Sequence, residues 1–461
     1  MNKLFITSLL VFFALGAKAQ QAAHADSIRQ PHTLTWFLQQ GLLNNYSIRI
    51  ADNRQLTATE NATRANAGMM PSVTASAGYG IDLASASSKA RATDITTTNT
   101  NYLDHSVQAQ VGLTWTAFDG FAMQARYAEL KLLKQQGDLN RRMAGEELIS
   151  SITAEYYNCI QQRIRLRNYR NAVRLSRERM RIVEARYNVG SFSRLDYMQA
   201  KVDFNADSAQ YMKQQEALRT SVIELSRLVN LPSTADSAAL PTIASYAALR
   251  IADTLIAVMP SLDYDELWQD VLAYNADLQQ TALGTDLASQ ALRRVLARNY
   301  PYVRLNASYG YNYSGYGVAT NRWASHWGPS AGVTMGIDLF DPTRRSARRA
   351  AQREVEAARL QAEDLQLSLS ARFRMLRQSH INNLQILALE EQNLAAAQEN
   401  YATARERYLL GDLSGIAMRE AQQSLLNAEE RILKAAYDTK MCEISLMLIS
   451  GGIEKYLTTG R

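Results

Sequence analysis

Five histidines (His24, His32, His105, His326 and His380) and two cysteines (Cys159 and Cys442) are the side chains best equipped to hold a metal or attack a substrate. No two of the histidines stand at metal-ligand spacing. The chain carries no P-loop and no dinucleotide fingerprint. Gly310, Gly315 and Gly317 lie in a Tyr-rich strand and loop, not ahead of a helix that could cradle a phosphate. No catalytic, cofactor-binding or metal site is therefore expected, and the chain reads as no enzyme. Cys159 lies 31 residues before Gly190 and Cys442 lies 31 after Gly411. If those glycines mark level helix turns, both thiols sit roughly 45 Å above them. Two thiols buried on different helical seams is the favoured reading, and a disulfide is the alternative. The pairs Arg344-Arg345 and Arg348-Arg349 invite a nucleic-acid reading. They follow a strand, on the helix leaving it, and are expected to face solvent or acidic neighbours. A net charge of +6 over 461 residues adds no call for nucleic acid, and none is expected as a partner.

The elements that position these residues begin with a leader. Lys3 is followed by the apolar run Leu4 to Leu15 and by Ala17-Lys18-Ala19, the pattern of a secretory signal peptide over 1–19. That run is too short to span a bilayer, and no later stretch is long and apolar enough to do so as a helix. A membrane-crossing part would have to be a β-barrel. The remainder nearly repeats itself. Asn45-Tyr46-Ser47-Ile48 recurs as Asn275-Ala276-Asp277-Leu278, Met70-Pro71-Ser72-Val73 as Tyr300-Pro301-Tyr302-Val303, and Arg186-Tyr187-Asn188-Val189-Gly190 as Arg407-Tyr408-Leu409-Leu410-Gly411. The expected organisation is a first repeat over 20–231, a linker over 232–262 containing Pro232, Pro241 and Pro260, a second repeat over 263–450 and a tail over 451–461.

Each repeat holds two segments of strict period-2 alternation, about 72–82 and 106–117 in the first and 302–313 and 329–340 in the second. Val107, Ala109, Val111, Leu113 and Trp115, for instance, alternate with Gln108, Gln110, Gly112 and Thr114. Runs of this length and alternation suit barrel strands with lipid on one side and water on the other. Tyr79, Trp115, Tyr311, Trp323 and Trp327 are candidates for aromatic girdles. Four strands cannot enclose a water-filled lumen, whereas three copies would supply twelve. The helical hairpins are expected at about 120–231 and 343–450. Phe121 to Val189 contains no proline, and as one helix it would reach roughly 100 Å. Ala421, Leu425, Ala428, Ile432, Ala435, Thr439, Cys442, Leu446 and Ile449 keep a 4-3 alternation, a coiled-coil seam narrow enough for close packing.

A signal peptide, duplicated strand-loop-strand units and paired long-helix turns together resemble the TolC family of outer-membrane efflux proteins, across essentially the whole mature chain. The resemblance implies a mainly α fold with a small β part: two tandem repeats, long antiparallel coiled-coil helices, and four strands per chain contributing to a trimeric 12-stranded outer-membrane β-barrel. It implies a homotrimer in outer-membrane lipid, with a helical tunnel in the periplasm, a passive duct of a tripartite efflux pump or type I secretion system. Its partners would be a periplasmic adaptor (membrane fusion) protein and an inner-membrane pump. The most specific residues are the turns. Tyr187, Gly190, Ser191 and Ser193 in the first, and Tyr408, Gly411, Asp412 and Ser414 in the second, stand where the family docks its adaptor. Glycine at these positions permits a left-handed helix end and each serine can cap the returning helix. The family closes its periplasmic aperture with two Asp rings and an Arg near the second turn; here those positions hold Ala417, Glu420 and Leu413. Glu420 keeps the acidic type and Tyr408 the aromatic, so a single Glu ring remains as the candidate aperture and the Arg–Asp latch is missing. The alternatives are a stand-alone porin-like protein, which would not need the turns, and a periplasmic coiled-coil rod, which would not need the strands.

Overall fold

A computed structural model describes residues 31–89, 96–230, 251–318 and 322–454. The leader reading, His24, Pro232 and Pro241 lie outside the described residues. The described chain runs α1 (Leu34–Asn44), α2 (Tyr46–Asn61), β1 (Ser72–Lys89), β2 (Thr96–Phe118), α3 (Ala122–Asn188), α4 (Arg194–Val229), α5 (Tyr264–Tyr274), α6 (Ala276–Ala297), β3 (Tyr302–Gly315), β4 (Trp323–Gly336), α7 (Thr343–Leu410) and α8 (Gly415–Ile449). The fold is mainly α with a small β part, as the sequence implies. Among the described residues no helix is long and apolar enough to cross a membrane. The chain divides into two compact units, one comprising 54–138 and 280–363, the other 1–53, 139–279 and 364–461.

The first unit carries the sheet, four antiparallel strands in the order β1-β2-β3-β4. Its register decides the meaning of the alternation, because a slip of one residue would exchange the faces. Ala75 pairs with Val111, Val111 with Tyr309, and Tyr309 with Pro329; one row on, Ala77, Ala109, Tyr311 and Trp327 align. On the opposite face Gly78, Gln108, Asn312 and His326 align, as do Thr74, Gly112, Ser308 and Ser330. Four separate alternations thus combine into one apolar and one polar surface. The apolar surface is open in the single chain: Val73, Tyr79, Val111, Trp327 and Met335 are all exposed. Its large exposed patch is of the kind that marks a lipid or protein contact. The strands differ in extent from the alternation. β1 and β2 continue to Lys89 and Thr96, past the apolar rows, because backbone pairing outlasts side-chain patterning. β4 begins at Trp323 and ends at Gly336, so Ile337 and Leu339 keep the parity without a ladder partner.

The second unit is helical. Its core joins Phe37 and Leu38 of α1, Ile152, Tyr156 and Ile160 of α3, Leu225 of α4, Val271 of α5 and Ile444 and Leu446 of α8. The repeat reappears as matched joints. Asn45 donates through Nδ2 to the Leu228 carbonyl at 2.6 Å while its Oδ1 accepts from the Ser47 amide at 2.7 Å. Asn275 donates to the Ile449 carbonyl at 2.9 Å and accepts from the Leu278 amide at 3.0 Å. In each half one asparagine caps a new helix and ties it to the end of the returning long helix, using donors and acceptors that would otherwise be orphaned. The α8 seam is largely buried as its spacing predicts: Ala421, Ala428, Ala435, Thr439, Leu446 and Ile449 are all inside. The described part of the linker lies against α3, where the Tyr156 hydroxyl donates to Asp253 at 2.7 Å and Arg163 Nη1 donates to the Ile251 carbonyl at 2.9 Å.

Candidate functional site

The α3–α4 and α7–α8 turns are built alike. Gly190 and Gly411 take φ of 80° and 88°, the left-handed region. The Gly190 amide donates to the Tyr187 carbonyl at 2.9 Å and the Ser191 amide to that of Arg186 at 2.8 Å; Gly411 donates to Tyr408 at 3.2 Å and Asp412 to Arg407 at 2.9 Å. Both are Schellman ends, in which two amides of the turn satisfy the last free carbonyls of the helix. Ser193 then accepts from the Asp196 amide at 3.2 Å, while Asp196 Oδ2 accepts from the Ser193 amide at 3.1 Å, a complete capping box. Ser414 accepts from the Ala417 amide at 3.2 Å.

The two turns are joined through Arg186. Its guanidinium donates to the Leu409 carbonyl at 3.4 Å and lies 5.4 Å from the centre of the Phe192 ring and 5.9 Å from that of Tyr408. Tyr187 stacks on Tyr197 with ring centres 5.7 Å apart. Around this joint stand apolar side chains with no cover: Val189, Leu195, Leu410 and Ile416 are 76%, 77%, 84% and 78% exposed. Of the aperture candidates, Glu420 is exposed. Tyr408 is instead 2% exposed, packed with Ala404, Met418 and Ala421 and against Ile182. Burial raises its phenol pKa, opposed by the charges of Arg179 and Arg186. Its ring therefore fastens α7 and α8 to α3 rather than standing on a free surface.

Behind the turns lies a group that the sequence reading missed. Arg179 of α3 is ion-paired with Asp203 of α4, and Arg419 of α8 grips Asp207 of α4 with Nη1 and Nη2 at 2.7 and 2.8 Å. Arg419 also approaches Asp203 at 3.9 Å, so one carboxylate is shared by two helices. Hydrogen bonding to Asp207 raises the Arg419 pKa, whereas burial lowers that of Arg179 against the pull of Asp203. The buried line on α3 runs Asn168, Ala172, Ser176, Arg179, Val183. Nothing in the periodicity marks Arg179, because a charged residue on a contact line looks like one on a solvated face.

The other chemistry-bearing residues stay apart. Among the described residues no group of three His, Cys, Asp or Glu side chains could hold a metal. His380 is buried with Nδ1 2.8 Å from the Tyr264 hydroxyl. Cys159 is fully buried, its thiol pushed up to about 12 by burial, with Ser221 as hydrogen-bond partner. Cys442 faces α7, where it accepts from Asn383 Nδ2 at 3.4 Å. Both thiols are free and point at different helices.

Comparison with known proteins gives one family. The model of the outer membrane efflux protein family matches residues 37–231 and again 267–452. No curated protein matches the chain. Among solved structures, the outer membrane protein VceC from Vibrio cholerae is similar at 18% identity and a TM-score of 0.69, over 91% of this chain and 96% of its own. The CmeC outer membrane channel of Campylobacter jejuni is similar at 14% identity and 0.71, over 93% and 89%. The MtrE outer membrane channel of Neisseria gonorrhoeae, in its open state, is similar at 15% and 0.61, over 91% and 89%. At these identities the likeness shows the shared fold.

Proposed function

The chain belongs to the outer membrane efflux protein family and is an outer-membrane efflux channel, and from that premise we propose how it works. Three copies close twelve strands into a barrel, with the apolar sheet face toward lipid and the Gln, Asn, Ser and Thr face toward a hydrated lumen. The long helices form the periplasmic tunnel. The paired turns dock a periplasmic adaptor, through which an inner-membrane pump supplies the energy that this chain lacks. The machine is a tripartite efflux pump or a type I secretion system, and the channel performs no chemistry.

The observation that carries the docking is the cap of exposed apolar side chains, Val189, Leu195, Leu410 and Ile416, held on two turns of fixed geometry and tied together by Arg186. Apolar groups clustered at the end of a long hairpin contribute nothing to its own packing, and such patches mark protein contacts. A stand-alone porin would have no use for them. A periplasmic rod would leave the apolar face of the sheet in water. Glu420, exposed beside the second turn, would form a ring of three carboxylates in a trimer and favour cations at the periplasmic mouth.

The test replaces Leu195 and Ile416 by Asp, which leaves the turn backbone intact, and separately Gly190 and Gly411 by Val. A Cβ at either glycine meets nothing within 4 Å, so the valines act through the left-handed backbone alone. Both sets should form trimers in the outer membrane, lose crosslinking to the adaptor and lose export. Export that persists in the Asp variants would reject docking at the turns.

A further inference from the structure

The arginines where the sheet gives way to helix lie outside the α3–α4 and α7–α8 turns. Residues 337–353 contain Arg344, Arg345, Arg348, Arg349 and Arg353 against two acids, Asp338 and Asp341. Residues 293–304 add Arg293, Arg298 and Arg304 with no acid in the run, while Arg294 there pairs with Glu129 at 2.7 Å. Both segments stand at one end of the sheet, since β3 begins at Tyr302 and its partner β4 ends opposite it at Gly336. Hydrogen bonds from Thr343 hold the Asp341 carboxyl below the usual range, and the charges of Arg344 and Arg298 act in the same direction. Asp338 engages Arg344 at 3.7 Å. Arg345, Arg348, Arg349 and Arg353 are exposed, and among the described residues none of them has an ion-pair partner. The spacing of Arg345, Arg348 and Arg349 puts them on one side of α7.

A solvated helix face ordinarily mixes signs, because like charges one turn apart repel. Here the excess is one-sided as far as Arg353, with Glu354 and Glu356 only beyond it, and it adjoins a bare apolar segment. Ile337, Leu339 and Phe340 are 48%, 90% and 87% exposed. Ile337 and Leu339 continue the parity of Val333 and Met335, the apolar face of β4. Across the same end, Phe121 and Tyr300 are exposed and pack edge to face at 6.1 Å. Apolar and aromatic side chains followed within one or two helical turns by unpaired guanidinium groups match the profile of a bilayer boundary, acyl chains first and phosphates next. Arginine suits the phosphate because its fork binds two oxygens at once. A nucleic acid would use the guanidinium groups and leave Leu339 and Phe340 in water.

We propose that the 337–353 segment, with Arg298, binds the phosphate headgroups of anionic phospholipids in the leaflet on the helical side of the barrel. This rests on the barrel reading above. The lipid seats the apolar loop at the right depth and neutralises the arginines.

The test is native mass spectrometry of the full-length trimer in detergent, titrated with phosphatidylglycerol and with phosphatidylcholine. The wild type should retain phosphatidylglycerol preferentially. Arg345→Gln, Arg348→Gln and Arg349→Gln together should weaken it roughly a hundredfold, at about fivefold per arginine. Leu339→Ser with Phe340→Ser should weaken it while leaving the arginines in place. Equal retention of the two lipids would overturn the proposal. So would inorganic phosphate displacing phosphatidylglycerol equally from the wild type and the serine variant, which marks a free-anion site. Dissociation of the triple Gln variant into monomers would make the patch a subunit contact, and tighter binding of a single-stranded oligonucleotide would make it a nucleic-acid site; either rejects lipid. A trimer that conducts in phosphatidylcholine bilayers but shows no lipid preference removes this inference alone, whereas a wild type that forms no trimer removes the barrel as well.

Discussion

Arg419 shows how much a residue's role depends on neighbours distant in sequence. It lies beside Glu420 on the same helix, yet Glu420 is exposed while Arg419 reaches Asp207 and Asp203 on α4. With the Asp207 side chain 9% exposed, removing one partner strands a charge that water barely reaches. Asp207→Asn should cost about 2–4 kcal/mol, and a paired Asp207→Leu, Arg419→Met variant should recover much of it, because a buried pair costs more when broken than when replaced whole. Thermal unfolding of the three proteins reads this out; an unchanged midpoint in Asp207→Asn would show the pair to be idle. His380 makes a pH prediction. Burial lowers its pKa, so the folded chain holds the neutral imidazole while the unfolded chain protonates near its ordinary value of about 6.5. The unfolded state then binds more protons below that pH, and stability should fall as pH drops through it and be full above it. His380→Asn should flatten the melting temperature between about pH 5 and 7 relative to the wild type; equal slopes would refute the assignment.

For the elements, the sheet gives the sharpest comparison. Val111 and Gln110 are neighbours on β2 and lie on opposite faces. Val111→Arg should oppose insertion by about 2–4 kcal/mol near mid-bilayer, whereas Gln110→Arg should leave assembly intact and shift the channel toward anions. Heat-modifiable migration and single-channel conductance measure both, and equal tolerance of the two would contradict a lipid-facing apolar surface. The helix turns are equally local. Ser193→Ala removes a cap worth about 1 kcal/mol, so the start of α4 should exchange amide hydrogens faster than the start of α8, where Ser414 is intact.

At the scale of the whole molecule, β1 and β4 each have one edge without a partner in the single chain. Exposed edges of long strands seek other strands, and pairing β4 of one copy with β1 of the next is the arrangement that removes them all. Detergent-extracted protein should therefore run at three times the chain mass; a water-soluble monomer with no trimer in detergent would end the barrel reading.

The four strands, the duplication, the glycine turns with their serine caps and the α8 seam were all legible in the sequence. Each depends on short-range periodicity or on one residue's backbone preference, and both are written along the chain. The register that assembles four alternations into two continuous faces was not legible, nor was the burial of Arg179 and Tyr408, nor the sharing of Asp203 between two helices. Those depend on which surfaces meet. Partners on another helix, 24 positions away for Arg179 and 212 for Arg419, decide whether a charge faces water or a carboxylate, and periodicity is the same in both cases. The arginines of α7 stood in plain view in the sequence, but they gained meaning beside Leu339 and Phe340 at the end of a sheet, because a charge identifies its partner through what surrounds it.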